Sequence, residues 1–173
     1  AEISRLAAWF LLRREFSPRG QAITTDVEFS NTAAEQTLFS QTIPGSELGT
    51  RNIFRVQLYG YFFENVAGDA TFTLKWYYGT TRVTVFANTL NDNAAKQIWF
   101  GHLWIENAGA TNSQVLTGAI QFATASPLLE SATSTGGPTT TGLNRGTAAI
   151  DSTAAQTAKL TVTMGADANR KAG

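Results

Sequence analysis

The chain has 173 residues, enough for one domain that buries roughly 70% of its unfolded surface without covalent staples. Cysteine is absent and a single histidine is present, which excludes disulfide frameworks, thiolate sites and multi-histidine metal centres. Thirteen basic residues balance thirteen acidic ones and only 15% are charged; this speaks against a basic nucleic-acid groove and leaves a neutral surface that permits association.

Residues 1–20 read as an N-terminal arm. Ile3, Leu6, Ala7, Phe10 and Leu11 follow a helical i, i+3, i+4, i+7, i+8 stripe, although a fully buried strand gives a short apolar run of the same kind. Ser17-Pro18-Arg19-Gly20 stops the element. The arm packs on its own domain, or its Leu6, Trp9, Phe10 and Leu11 dock on a neighbouring subunit or a lipid surface. The run LAAWFLL is far shorter than the ~20 apolar residues of a membrane span. Its basic residues and flanks do not follow a signal peptide, so the chain is expected to be made and used without export.

Residues 21–173 read as one all-β domain of eight strands, near 23–29, 36–43, 53–63, 70–78, 81–87, 97–106, 114–124 and 157–164. Phe54, Val56, Leu58 and Phe62 share one parity, with Gly60 among them; Phe72, Leu74, Trp76 and Tyr78 share another. Alternation of this kind marks antiparallel strands with one face on a core. Turn residues separate them at Pro44-Gly45, Asn65 to Asp69, Gly79, Asn91 to Asn93 and Asn107-Ala108-Gly109. The strand at 98–105 is apolar on both parities, Ile98, Phe100 and Trp104 against Trp99, Leu103 and Ile105, which predicts a cover on its outer side. Residues 125–156 hold few bulky side chains and read as a long loop. AKLTVTM then restores alternation, and a last strand returning after a long crossing pairs with an early one in Greek-key sandwiches.

Chemistry is sparse. His102, in WFGHLWI between aromatics, reads as a packed or edge-exposed ring. Asp26 and Glu28 share a strand face and Glu64 and Glu106 end long strands, but a glycosidase needs two carboxylates about 5–10 Å apart in an aromatic cleft, and these acids sit near turns. GDAT and NDNA lack the spacing of a twelve-residue calcium loop, and no phosphate-cradling GxxxxGK or GxGxxG occurs. The aromatic residues remain. Tyr59, Tyr61 and Tyr77 lie opposite the core parity; with Trp99 they form a sugar-stacking platform or, as the favoured reading, an oligomer interface, where Tyr and Trp are enriched.

The segments LFSQTIPGSELGTRNIFRVQLYGYFFEN, TFTLKWYYGTT, ENAGATNSQ and GTAAIDSTAAQTAKLTVTMGADA resemble a β-jelly-roll module of bacteriophage virion proteins, over about residues 35–168. The chain is most similar to the small single jelly-roll major capsid proteins of tailless, internal-membrane phages that infect thermophiles. The resemblance implies an eight-stranded jelly-roll sandwich and a non-enzymatic shell subunit without cofactor. Its partners would be copies of itself, as a homo-oligomer (a dimer), and a second capsid protein, with contact to the virion inner membrane and none to nucleic acid. It would be assembled in the host cytoplasm into the virion. The expected contacts are Leu6, Trp9, Phe10 and Leu11 on the arm and Tyr59, Tyr61 and Tyr77 on the sheets. The same module occurs in fibre proteins, so a receptor- or carbohydrate-binding fibre head is the alternative, and a glycoside-active enzyme a third.

Overall fold

A computed structural model describes residues 15–16, 28–30, 32–64, 70–90, 93–123, 142–165 and 170–172. Among them there is no helix. They hold eleven strand segments rather than eight: β1 (Glu15–Phe16), β2 (Phe29–Ser30), β3 (Gln36–Ile43), β4 (Ile53–Glu64), β5 (Ala70–Tyr78), β6 (Thr81–Leu90), β7 (Asn93–Ala110), β8 (Ser113–Ala123), β9 (Gly142–Ala148), β10 (Gln156–Thr163) and β11 (Arg170–Ala172). The strands form two sheets. Sheet A has the order β2-β11-β4-β7-β8-β9, with β1 beside β4, and sheet B the order β3-β10-β5-β6. Pairing is antiparallel throughout except for β1, which runs parallel to β4 through Glu15↔Ile53 and Phe16↔Phe54.

The sheets close face to face because each long strand puts one parity inward. Phe54 and Phe62 of β4, with Trp99, Leu103 and Ile105 of β7, meet Phe72, Leu74 and Trp76 of β5 and Leu160 and Val162 of β10 in one buried cluster. Phe62 and Phe72 bridge the sheets with ring centroids 4.7 Å apart, a separation typical of offset or tilted aromatic pairs. The indole of Trp76 also crosses, donating to the Trp104 carbonyl at 3.3 Å. In β7 it is Trp99, Leu103 and Ile105 that point inward, so Ile98, Phe100 and Trp104 form the outer face of sheet A.

Seven of the predicted strands coincide with β3 to β8 and β10. The last long strand does return to an early partner: β10 lies between β3 and β5, with Leu160 opposite both Phe39 and Trp76. Of the strand predicted at 23–29 only residues 28 and 29 are described, Phe29 opening β2; the arm residues before Glu15 fall outside the described residues. One expectation is corrected. The segment read as a loop over 125–156 contains β9, paired with β8 from Gln114↔Ala148 to Ile120↔Gly142. Its inward positions are Asn144, Gly146 and Ala148. They are small because β6 comes close: a Cβ on Gly146 would stand 3.3 Å from Val83 Cβ, and Asn144 Nδ2 donates to the Val85 carbonyl at 3.1 Å.

Candidate functional site

Three features of the molecule stand out above a sealed core. The first is the outer face of sheet A. Register places Arg55, Gln57, Tyr59 and Tyr61 of β4 opposite Trp104, His102, Phe100 and Ile98 of β7. The same β7 residues face Thr117, Ala119, Gln121 and Ala123 of β8. Tyr59 is 79% exposed and Ile98 36%, the two large hydrophobic side chains most open to solvent among the described residues. Phe100, directly opposite Tyr59, and Trp104, two rows away opposite Arg55, are half-buried. His102 meets Phe100 edge-on at 6.2 Å, and its Nδ1 lies 3.3 Å from Gln57 Nε2. At one end of this face the Tyr61 hydroxyl donates to Glu28; at the other, Ile53 and Val115 are buried although their parity points outward. The middle of the open patch therefore holds aromatic rings and no Asp, Glu, Lys or Arg side chain.

The second feature lies on the outer face of sheet B. Glu35, just ahead of β3, accepts from Lys75 Nζ at 2.7 Å, the Tyr77 hydroxyl at 2.5 Å and Thr161 Oγ1 at 2.9 Å. Lys75 first, then Tyr77 and Thr161, hold its carboxyl down at a pKa of about 2, against a smaller upward push from burial. Arg82, opposite Tyr77 in the register, is raised by its hydrogen bond to the phenol, and Lys159 Nζ stands 4.5 Å over the Tyr77 ring. These groups pin the chain between β2 and β3 onto sheet B. Glu35 was not singled out in the sequence, since its partners lie 40 and more residues away.

The third is a polar brace at one end of the sandwich, where the loop 44–52, the β7–β8 hairpin end at 107–114 and the connection from β9 to β10 meet. Asn107 Nδ2 donates to the Gly49 carbonyl and to Ser152 Oγ. The Ser152 hydroxyl donates to the Thr111 carbonyl at 2.7 Å, and its backbone N–H to the same oxygen at 2.9 Å. Gln114 donates to that carbonyl at 2.8 Å and accepts from Ile150 N–H at 3.1 Å. Ser46 N–H donates to the Ser152 carbonyl at 2.8 Å. Two glycines make the approach possible. A Cβ on Gly45 would overlap the Thr153 backbone, and Gly109 turns with φ of +96°, a conformation that side chains disfavour. Asp151, kept charged by the Thr153 hydroxyl and N–H that bond to it, fixes the neighbouring turn. Asn107 Oδ1 is buried without a protein donor.

The sequence-predicted contacts separate in space. Tyr59 is open on sheet A, and Tyr61 is half-buried on the same face. Tyr77 differs: it does lie outward on sheet B, but it is only 8% exposed, because Glu35 and Lys159 cover it. Trp99 is 2% exposed and belongs to the core, so it is no part of a stacking platform. Leu6, Trp9, Phe10 and Leu11 lie outside the described residues, as does Asp26. Glu28 and Glu106 stand at opposite ends of the sheet A face, Glu106 paired with Ile53 in the register. Among the described residues no group of three or more His, Asp or Glu side chains is placed to hold a metal ion.

No family model, curated protein or solved structure matches the chain. Its likeness to virion proteins therefore rests on the quoted motifs alone. Three of those motifs, PGSELGT, ENAGATNSQ and GTAAIDST, are the loops that meet in the polar brace.

Proposed function

We propose that the chain is a non-enzymatic structural subunit of a virus particle, a capsid shell protein that assembles with copies of itself and with a second capsid protein. The observation that carries this reading is the open aromatic face of sheet A, where Tyr59 is 79% exposed on a closed β-sandwich. Aromatic side chains are enriched at protein interfaces, and their loss to water is compensated when a partner covers them. A shell does not need a strong single contact, since each subunit repeats it with several neighbours. The finer architecture in this proposal is a jelly roll. The insertion of β10 between β3 and β5 supports it as a Greek-key return. The hairpin neighbours β5-β6 and β7-β8-β9 follow a simpler order than two fully wrapped Greek keys.

In the particle, the arm residues Leu6, Trp9, Phe10 and Leu11 reach a neighbouring subunit, and one end of the upright sandwich faces the inner membrane. A second reading has its own observation. Gln57 and Gln121 stand in the rows around Tyr59 on sheet A, and an exposed ring flanked by amides also suits a sugar, as in the head of a carbohydrate-binding fibre. Cryo-electron microscopy of purified particles tests both. A regular shell density fitted by this sandwich supports the shell subunit, density confined to projecting fibres supports the fibre head, and absence of the chain from particles refutes both.

A further inference from the structure

We infer that residues 22–27 of this chain dock as a strand on the edge of β4, parallel to it, and so join β1 to β2 along sheet A. On one side β4 pairs with β7 from Ile53 to Glu64. On the other side, among the described residues, it meets β1 at Ile53 and Phe54 and β11 at Phe62 to Glu64. Between those contacts Arg55 to Tyr61 present an edge of ~24 Å, at ~3.4 Å per residue. Burial marks the same gap. Phe54 and Phe62 are 1% and 0% exposed, whereas Val56 and Leu58, inward on the same strand, are half-buried at the rim of the core. The sealed residues have β1 and β11 alongside; the half-buried ones face the open edge.

The two ends of the gap select the occupant, its direction and its register. Ala172 stands opposite both Phe62 of β4 and Phe29 of β2, and both pairings are antiparallel. Thus β2 runs parallel to β4, with Phe29 level with Phe62. β1 runs the same way, with Phe16 level with Phe54. The chain that links β1 to β2 therefore passes the open edge, and at its far end Glu28 already accepts from the Tyr61 hydroxyl of β4. Counting back from Phe29 brings Thr24 outward beside Gln57, and Val27 and Ile23 inward beside Gly60 and Val56. β-branched side chains suit these half-buried positions: Ile23 covers Val56, and Val27 takes the room beside Gly60. Residues 17–21 are surplus to this register. They include Pro18, which has no N–H to pair, and Gly20, and they leave the ladder as a loop. A strand from another molecule would have to displace a segment tethered on both sides of the slot, whose effective concentration there is far higher. With the edge filled from within, contacts between subunits fall to the faces of the sheets, their outer strands and the arm.

The chain has no cysteine, so introduced pairs report the register directly. Thr24→Cys with Gln57→Cys places two thiols on neighbouring strands ~4.8 Å apart, within the span of a disulfide. Mild oxidation is expected to close this bond within single chains, seen as a fast-migrating monomer on a non-reducing gel. Ala22→Cys with Tyr59→Cys, offset by ~14 Å along the strands, should stay reduced. Equal oxidation of the two pairs, or of neither, overturns the inference. A bond formed between chains overturns it in favour of a strand supplied by a second copy. Hydrogen exchange adds a readout without cysteines: alternate amides from Arg55 to Tyr61 point to the edge and should exchange as slowly as those bonded to β7. Ile23→Asp, which sets a charge against Val56, should speed them by about tenfold or more and leave the β5 amides of sheet B unchanged. Edge amides that already exchange fast in the parent chain, or that stay slow in Ile23→Asp, refute the docked strand.

Discussion

Gly118 offers the sharpest test of how the two sheets meet. It lies inward on β8, and a Cβ there would stand 2.8 Å from Val85 Cβ on β6 and 2.9 Å from Leu103 Cδ2 on β7. Both neighbours belong to the buried cluster, so neither can swing into solvent. Overpacking of this kind costs typically 1–3 kcal/mol, and with clashes on two sides Gly118→Ala is expected to lose about 3 kcal/mol. Val85→Ala alone removes two methyl groups and leaves a small void, for a loss of about 2 kcal/mol. In the double variant the new methyl no longer meets Val85 Cγ1, which the alanine lacks, but the Cβ of residue 85 and Leu103 Cδ2 still crowd it. The combined loss is then about 4 kcal/mol rather than about 5, a coupling of about 1 kcal/mol, within the range for residues in direct contact. Urea unfolding of the four proteins measures it, and the single glycine variant should melt roughly 6–12 °C lower at a few degrees per kcal/mol. Strictly additive losses would show that β6 and β8 do not approach at this point and would refute the described packing.

Further outcomes follow from the polar clusters. Glu35 has a folded pKa of about 2, below its ordinary value of 4.5, so the stability it adds is full above pH 4.5 and disappears as pH falls toward 2. Because the ion pair is partly exposed, the effect is about 1 kcal/mol, and Glu35→Gln should flatten the acid limb of stability against pH. Burial, with Asp151 as a lesser cause, pushes the Tyr78 phenol up to about 12 from 10; its stability contribution is present below pH 10 and lost as pH rises to 12. Ultraviolet titration should show one late-ionising tyrosine that is missing in Tyr78→Phe. Ser152→Ala removes the hydroxyl that joins Asn107 to Thr111. It should cost about 1–3 kcal/mol and speed hydrogen exchange at the Ser46 and Ser152 amides; unchanged exchange would mean the brace does not hold the loops.

Parity made most of the sandwich legible in the sequence. Phe72, Leu74, Trp76 and Tyr78 alternate with polar residues and do face the core, since a half-buried strand leaves that period directly in the chain. The signal failed where the inner face is built from small groups: Asn144, Gly146 and Ala148 make β9 look like loop, because the bulk that meets them comes from Val83 and Val85 on another strand. It was ambiguous in β7, where both parities are apolar and only the folded register shows Trp99 inside and Phe100 outside. The site was less legible still. Tyr59 and Tyr77 have equivalent positions in their strands, yet one is open and the other is covered by Glu35, 42 residues distant in the chain. The brace combines Gly49, Asn107 and Ser152 from three separate segments, and spacing along the chain gives no hint that they meet.

The position of β10 has a consequence for biosynthesis. It fills the gap between β3 and β5, so as the chain leaves the ribosome these two strands must wait, with backbone groups unmet, through the synthesis of some eighty residues after Tyr78. Pairings so distant in the chain form slowly, and unpaired strands exposed meanwhile invite aggregation. Neighbouring nascent copies would face the same hazard until Thr163 has emerged and β10 can close sheet B.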